Sequence, residues 1–239
     1  YIIRRASNLS KESHIIAANV DQAFLVVSLF LPSTNCEFID RFLVTAEAYR
    51  IPVTLLLNKC DLYATDALQD AQTEFLKIYR SAGYEVIELS ATQQTGIDAF
   101  KKMLPGKTSL LSGNSGVGKS TLIRAIDPSL DIRIGAVSAS SSKGKHTTTF
   151  SEMYPLAGGG YLIDTPGIKG FGLIDIENDE ICRYFPDLFR YAPRCGYYNC
   201  THTHEPACAV REALRAGEIG LSRYESYLKL LNDDQKYRK

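Results

Sequence analysis

From residue 21 onward, short apolar runs alternate with longer stretches whose apolar positions recur at helical spacing. The runs Ala23–Leu29, Val53–Leu57, Glu85–Leu89 and Thr108–Ser112 are each about as long as a buried strand. Between them, Phe38–Arg50, Leu68–Ala82 and Gly96–Met103 read as amphipathic helices, and Ser120–Ile126 continues the alternation. Two more strands are predicted at Phe150–Tyr154 and Tyr161–Ile163. This order predicts an α/β fold with a mostly parallel sheet covered on both faces. Past residue 171 helical spacing returns at Cys208–Gly217 and Ser222–Leu231, which predicts a smaller, mainly helical C-terminal unit. Its last residues, including Lys236, Arg238 and Lys239, read as a frayed tail.

The polar residues at the strand ends carry the chemistry. After Leu110 and Leu111 comes Gly113-Asn114-Ser115-Gly116-Val117-Gly118-Lys119-Ser120-Thr121, which fits G-x-x-x-x-G-K-[ST] between a strand and a helix. Glycines let backbone N–H groups close around a phosphate, Lys119 adds a cation, and the Ser120 hydroxyl can ligate Mg²⁺. The positive end of the following helix acts in the same direction. The chain is therefore expected to bind a nucleoside phosphate.

Asn58-Lys59-Cys60-Asp61, at the end of Val53–Leu57, resembles the guanine-reading N-K-x-D motif of GTPases. In that reading the Asp61 carboxylate accepts from the guanine N1–H and exocyclic amine, a donor pair that adenine lacks. Asn58 would bridge to the phosphate loop and the Lys59 stem would lie over the base. Ser90-Ala91 follows the next strand and resembles the segment that supports the base through a backbone N–H. Downstream, Asp164-Thr165-Pro166-Gly167 resembles the D-x-x-G switch, with Asp164 holding Mg²⁺ through water and Gly167 sensing the γ-phosphate. Between the two lies Lys143-Gly144-Lys145-His146-Thr147-Thr148-Thr149, whose hydroxyls can complete a Mg²⁺ shell.

These parts run N-K-x-D, S-A, phosphate loop, Thr switch, D-x-x-G, a circular permutation of the usual GTPase order. With them the chain resembles the circularly permuted GTPases of the RsgA (YjeQ/YloQ) type over nearly its whole length. The resemblance implies a three-part protein: an N-terminal OB-fold, the permuted GTPase and a zinc domain. Residues 1–20 are then the last piece of the barrel, which otherwise lies outside this numbering. Residues 21–171 are the GTPase and 172–239 the zinc-binding unit. The implied activity is hydrolysis of GTP to GDP and phosphate by a late assembly factor of the 30S subunit, stimulated by 16S rRNA. Thr148 is implied as the switch ligand. Ile168 stands where a water-orienting Gln is usual, and an aliphatic chain has no hydrogen-bonding group, so basal hydrolysis is expected to be slow. His146 is the expected substitute. A passive GTP-stabilised binding module is the alternative, and an ATPase a weaker one.

Cys195, Cys200, His202 and Cys208 supply three thiolates and an imidazole, a closed tetrahedral set for one structural Zn²⁺. His204 competes with His202, and the resemblance favours His202. Cys36, Cys60 and Cys182 are expected to be buried small residues rather than ligands.

Composition changes the picture in one respect. Lys+Arg and Asp+Glu are 27 each, so no bulk basic field draws RNA, and rRNA binding would need local patches. Candidates are Arg4, Arg5, Lys11, Lys143, Lys145, Arg190 and Arg194. The sequence has no eighteen-residue apolar run and no signal-peptide pattern, so a cytoplasmic monomer without membrane contact is expected.

Overall fold

Each predicted strand from residue 21 onward ends on one edge of a single sheet. The computed structural model describes residues 2–5, 14–130, 151–165 and 176–232. Strands β1 (Ile2–Arg5) and β2 (His14–Ala18) pair antiparallel as a separate two-stranded sheet. The main sheet is built from β3 (Gln22–Val27), β4 (Val53–Leu57), β5 (Glu85–Glu88), β6 (Thr108–Gly113), β7 (Glu152–Pro155) and β8 (Tyr161–Asp164). Its order is β5-β4-β3-β6-β8-β7, parallel except for β7. Helices α1 (Cys36–Ala48), α2 (Asp66–Ser81), α3 (Ile97–Lys101) and α4 (Lys119–Ile126) connect the strands.

The central strand β3 shows why the two faces are covered. Its side chains alternate between two cores, as the period of a strand requires. Ala23, Leu25 and Val27 pack with Phe38, Phe42 and Leu43 of α1 and Phe75 and Tyr79 of α2. Phe24 and Val26 pack with Phe100 of α3 and Leu122 and Ile123 of α4. All six residues of β3 are buried, which is why the sequence shows an unbroken apolar run there. α1 starts where the Asn35 side chain accepts from the Glu37 N–H at 2.8 Å, and α2 where Thr65 accepts from Leu68 N–H at 3.3 Å.

β3 is shorter than predicted. The Thr34 N–H donates to Ser28 O at 2.7 Å and the Ser28 N–H to Thr34 Oγ1 at 3.1 Å, closing a loop over residues 28–34 that takes Leu29 off the ladder. α3 is also shorter, ending before Pro105-Gly106, while β7 begins at Glu152. The predicted start of that strand at Phe150, the domain boundary near Phe171 and the C-terminal tail lie outside the described residues. The expectation for the remaining cysteines holds for Cys182, but Cys36 and Cys60 are only half-buried.

The C-terminal region is helical: α5 (Pro186–Phe189), α6 (Ala209–Arg215) and α7 (Leu221–Asn232), with 3₁₀ turns at Ile181–Tyr184 and Ala192–Arg194. These elements share a third core with Val44 of α1. Arg223 of α7, fully buried, donates to Asp40 of α1 at 2.7 Å and to both Asp187 oxygens at 2.9 and 3.1 Å. Phe185 stacks on its guanidinium at 4.6 Å. Among the described residues no helix is long and apolar enough to cross a membrane.

Candidate functional site

Parallel strands bring their carboxyl ends to one edge, and a crevice opens where neighbouring strands lead the chain in opposite directions. Here β3 is followed by β4 on one side while β6 pairs on the other. β6 runs into the Gly113–Lys119 loop, β4 into Asn58–Asp61, β5 into Ser90–Ala91, and β8 ends on Asp164.

Asn58 joins three of these ends. Its Nδ2 donates to Val117 O at 2.8 Å, and its Oδ1 accepts from Ala91 N–H at 3.1 Å. The amide is buried and its hydrogen bonds cross 59 and 33 residues of sequence. Glycines permit the approach. A Cβ on Gly118, at φ +101°, would stand 2.4 Å from Asn58 Nδ2, and one on Gly113, at φ +150°, would stand 2.5 Å from Val26 O.

Lys59 adopts a left-handed backbone, φ 66°, and its Nζ donates to Gly116 O at 2.8 Å and to Leu31 O. Asp61 Oδ2 lies 3.5 Å from the Thr92 hydroxyl, while Oδ1 is enclosed without a protein partner. That enclosed acceptor fits a ligand presenting N–H donors.

At the other end, Lys119 Nζ donates to Gly113 O at 2.6 Å and Asn114 O at 3.1 Å. Burial lowers the Lys119 pKa, with Asp164 opposing the shift. Burial pushes Asp164 up to about 6, against the pull of Lys119 and with a further push from Glu152. Asp164 Oδ1 is likewise enclosed and unpartnered, which fits a cation or its water shell. Ser120 is half-buried in the first turn of α4, and Ser115 and Thr121 are exposed. His146, Thr148, Gly167 and the cations Lys143 and Lys145 lie outside the described residues.

The sequence reading missed Tyr63. Its buried hydroxyl accepts from Leu29 N–H at 2.9 Å and donates to Asn58 O at 2.8 Å. A tyrosine two residues after an N-K-x-D carries no signal without the strand register.

The Cys/His cluster is brought together as read. The ligand atoms of Cys195, Cys200, His202 and Cys208 all lie within 4.8 Å of one another. His202 Nδ1 is 3.5 Å from both Cys195 Sγ and Cys208 Sγ, and these two sulfurs are 4.0 Å apart. A tetrahedral Zn²⁺ with bonds of about 2.3 Å to sulfur and about 2.1 Å to nitrogen requires edges of roughly 3.6–3.8 Å. The cluster fits that ion. Burial pushes the Cys200 thiol up to about 12 and raises that of Cys208, so a bound cation is what would hold them as thiolates at neutral pH. His204 instead meets the Thr203 hydroxyl at 2.8 Å and is outside the cluster.

Glu205 was also missed. It accepts from Thr201 N–H and hydroxyl and from the Thr203 and His204 N–H groups, folding the loop that carries His202. Burial raises its carboxyl, but these donors outweigh burial and hold it well below the usual range. Tyr224 and Tyr227 of α7 donate to His202 O at 2.6 Å and Thr201 O at 2.8 Å, fixing the loop to the helix.

Known proteins share this arrangement. The RsgA GTPase family profile matches residues 2–174. A Phocaeicola vulgatus protein named small ribosomal subunit biogenesis GTPase RsgA is 55% identical over 240 residues, covering 100% of this chain and 77% of its own length. A Bacteroides thetaiotaomicron relative, small ribosomal subunit biogenesis GTPase RsgA 2, matches with the same identity and coverage. Among solved structures, YjeQ from Thermotoga maritima aligns at a TM-score of 0.76 with 38% identity, covering 94% of this chain and 74% of that one. YloQ, a circularly permuted GTPase, aligns at 0.75 with 30% identity, covering 100% and 80%. The chain belongs to the RsgA GTPase family and is a circularly permuted GTPase.

Proposed function

We propose that this GTPase acts in assembly of the small ribosomal subunit, binding the 30S particle and its 16S rRNA with GTP and leaving after hydrolysis to GDP and phosphate. The observation that carries the reading is the Asn58 amide, which ties the base-reading segment to the phosphate loop beside the enclosed Asp61 oxygen. A base seated against Asp61 and phosphates held at Lys119 then belong to one ligand.

In this reading Asp61 accepts the two guanine donors, with Asn58 and Lys59 fixing its loop and Ser90-Ala91 backing the base. Gly113 to Gly118 and Thr121 line the phosphates through backbone groups, and Lys119 offsets their charge. Phosphoryl transfer to water asks the protein chiefly for positioning and charge stabilisation. Mg²⁺, held by Ser120, Thr148 and, through water, Asp164, would supply further positive charge at the β- and γ-phosphates. His146 orients the attacking water and Gly167 senses the γ-phosphate. Zn²⁺ at Cys195, Cys200, His202 and Cys208 is structural, since four protein ligands leave no position for water chemistry. Arg190 and Arg194, exposed beside that loop, are proposed rRNA contacts, and the protein works as a cytoplasmic monomer.

Single-turnover GTP hydrolysis with and without purified 30S subunits tests the proposal. Stimulation of on the order of 10³-fold or more is expected, the range in which activating partners act. An unchanged rate would leave a passive GTP-stabilised binding module instead.

A further inference from the structure

Tyr63 occupies an unusual place in the sheet. β3 and β4 are parallel, with Val27 opposite Leu57. The Asn58 N–H still donates to Val27 O at 2.9 Å. In a parallel ladder the next rung joins the Leu29 N–H to Asn58 O. Here the Tyr63 hydroxyl stands between those two groups, accepting from Leu29 at 2.9 Å and donating to Asn58 at 2.8 Å. The last rung is thus spread by the width of one oxygen atom, and every polar group involved stays paired.

The opposite side of β4 is released at the same level. The Leu89 N–H donates to Leu57 O at 2.9 Å, and the regular ladder would return the Lys59 N–H to Leu89 O. Instead Lys59 turns left-handed and the Cys60 N–H reaches Leu89 O at 3.2 Å. The chain then makes one 3₁₀ turn, Cys60–Leu62, closed by the Tyr63 N–H on Cys60 O at 3.2 Å. That turn returns the tyrosine ring beneath the segment it supports, where Tyr63 is 4% exposed.

We infer that Tyr63 is a positioning residue for base selection: its hydroxyl, inserted between β3 and β4, sets the height and direction of Asn58 to Asp61 above the sheet edge. Tyr63 touches no reacting atom and acts through the Asn58 carbonyl. Without the hydroxyl, either Leu29 N–H and Asn58 O remain buried and unpaired, or the rung closes and draws Asn58 toward β3. Both outcomes move the Asp61 carboxylate relative to a base whose far end is held at the phosphate loop. The inference rests on the reading of Asp61 as the guanine acceptor.

The test uses the full chain and compares affinities for GDP, IDP and XDP in the wild type, Tyr63→Phe, Tyr79→Phe and Asp61→Asn. IDP lacks the exocyclic amine, so the GDP-to-IDP ratio reports how well Asp61 is aimed. Tyr63→Phe is expected to lower that ratio at least fivefold, while GTP turnover at saturation and with 30S particles stays within twofold. Tyr79 is an equally buried tyrosine whose hydroxyl meets Asp40 at 3.1 Å, so Tyr79→Phe should leave the ratio unchanged. An unaltered ratio in Tyr63→Phe overturns the inference, as does an equal fall in both tyrosine variants. Asp61→Asn separates the underlying reading: if it gains no XDP affinity, Asp61 does not read the base.

Discussion

Replacing Gly118 with Ala would test whether base and phosphate segments act as one unit. Gly118 has φ +101°, where an L-residue is strained by about 1–2 kcal/mol. The added Cβ would lie 2.4 Å from Asn58 Nδ2, closer than atoms can stand, so the amide must withdraw. Withdrawal breaks the 2.8 Å bond to Val117 O and the 3.1 Å bond from Ala91 N–H. Each leaves a buried group unpaired at a cost of about 1–3 kcal/mol. If the loss falls on the nucleotide-bound state, the total of about 3–6 kcal/mol weakens GDP binding on the order of 10²–10⁴-fold. Asn58→Ala forfeits the same two bonds without strain. In the double variant the clash has no partner, so only the strain is added to the Asn58→Ala loss, about tenfold. Dissociation constants of a fluorescent GDP analogue measure all three. A double variant as weak as the product of the single losses would refute the reasoning, as would Gly118→Ala binding like wild type.

Asp61→Asn should move base preference from guanine toward xanthine, read as competition of XTP against labelled GDP. His146→Ala should keep GTP affinity within about twofold but lose most 30S-stimulated turnover in single-turnover assays, where an activating interaction is worth on the order of 10³-fold. Chelation of Zn²⁺ should melt the 195–208 loop, seen as new amide exchange there, while GDP affinity changes by less than about threefold, because α7 remains anchored through Arg223. Arg223→Met should destabilise the protein by about 3–5 kcal/mol in urea unfolding, since Asp40 and Asp187 are left buried without their cation. Adding Asp40→Leu and Asp187→Leu should recover most of that loss.

What the sequence made readable was local. Asn58 to Asp61, Gly113 to Ser120 and the Cys195–Cys208 set are each short segments whose chemistry is contained in neighbouring letters. The alternation of apolar runs was equally plain, because β3 is buried on both faces and α2 presents one apolar side. Ser90-Ala91 was nearly silent as a dipeptide; its meaning comes from the Ala91 N–H meeting Asn58. Arg223 read as a solvated cation within a short helix, and its burial depends on Asp40, 183 residues away, and on Asp187 in the four-residue α5. A helix that short has no periodicity to detect. Tyr63 was hidden for another reason: its role exists only in the register between two strands, and register is set by the assembled sheet.

The permuted order explains why local motifs stayed readable while long-range contacts did not. A parallel strand delivers its carboxyl end to the same edge whatever its place in the chain, so cutting and rejoining the polypeptide elsewhere leaves β3, β4, β5, β6 and β8 feeding one crevice. The connections do change. β8, ending on Asp164, now leads toward the C-terminal region, and that region packs back on α1, the helix entered directly from β3. The loop before α1 meets the phosphate loop, with Lys59 bound to both Leu31 O and Gly116 O and Pro32 standing against Gly116. The C-terminal helices therefore touch the nucleotide edge twice, through the chain leaving Asp164 and through α1 held by Asp40. In the unpermuted order the D-x-x-G strand leads on to further sheet strands, so only one of those routes could exist.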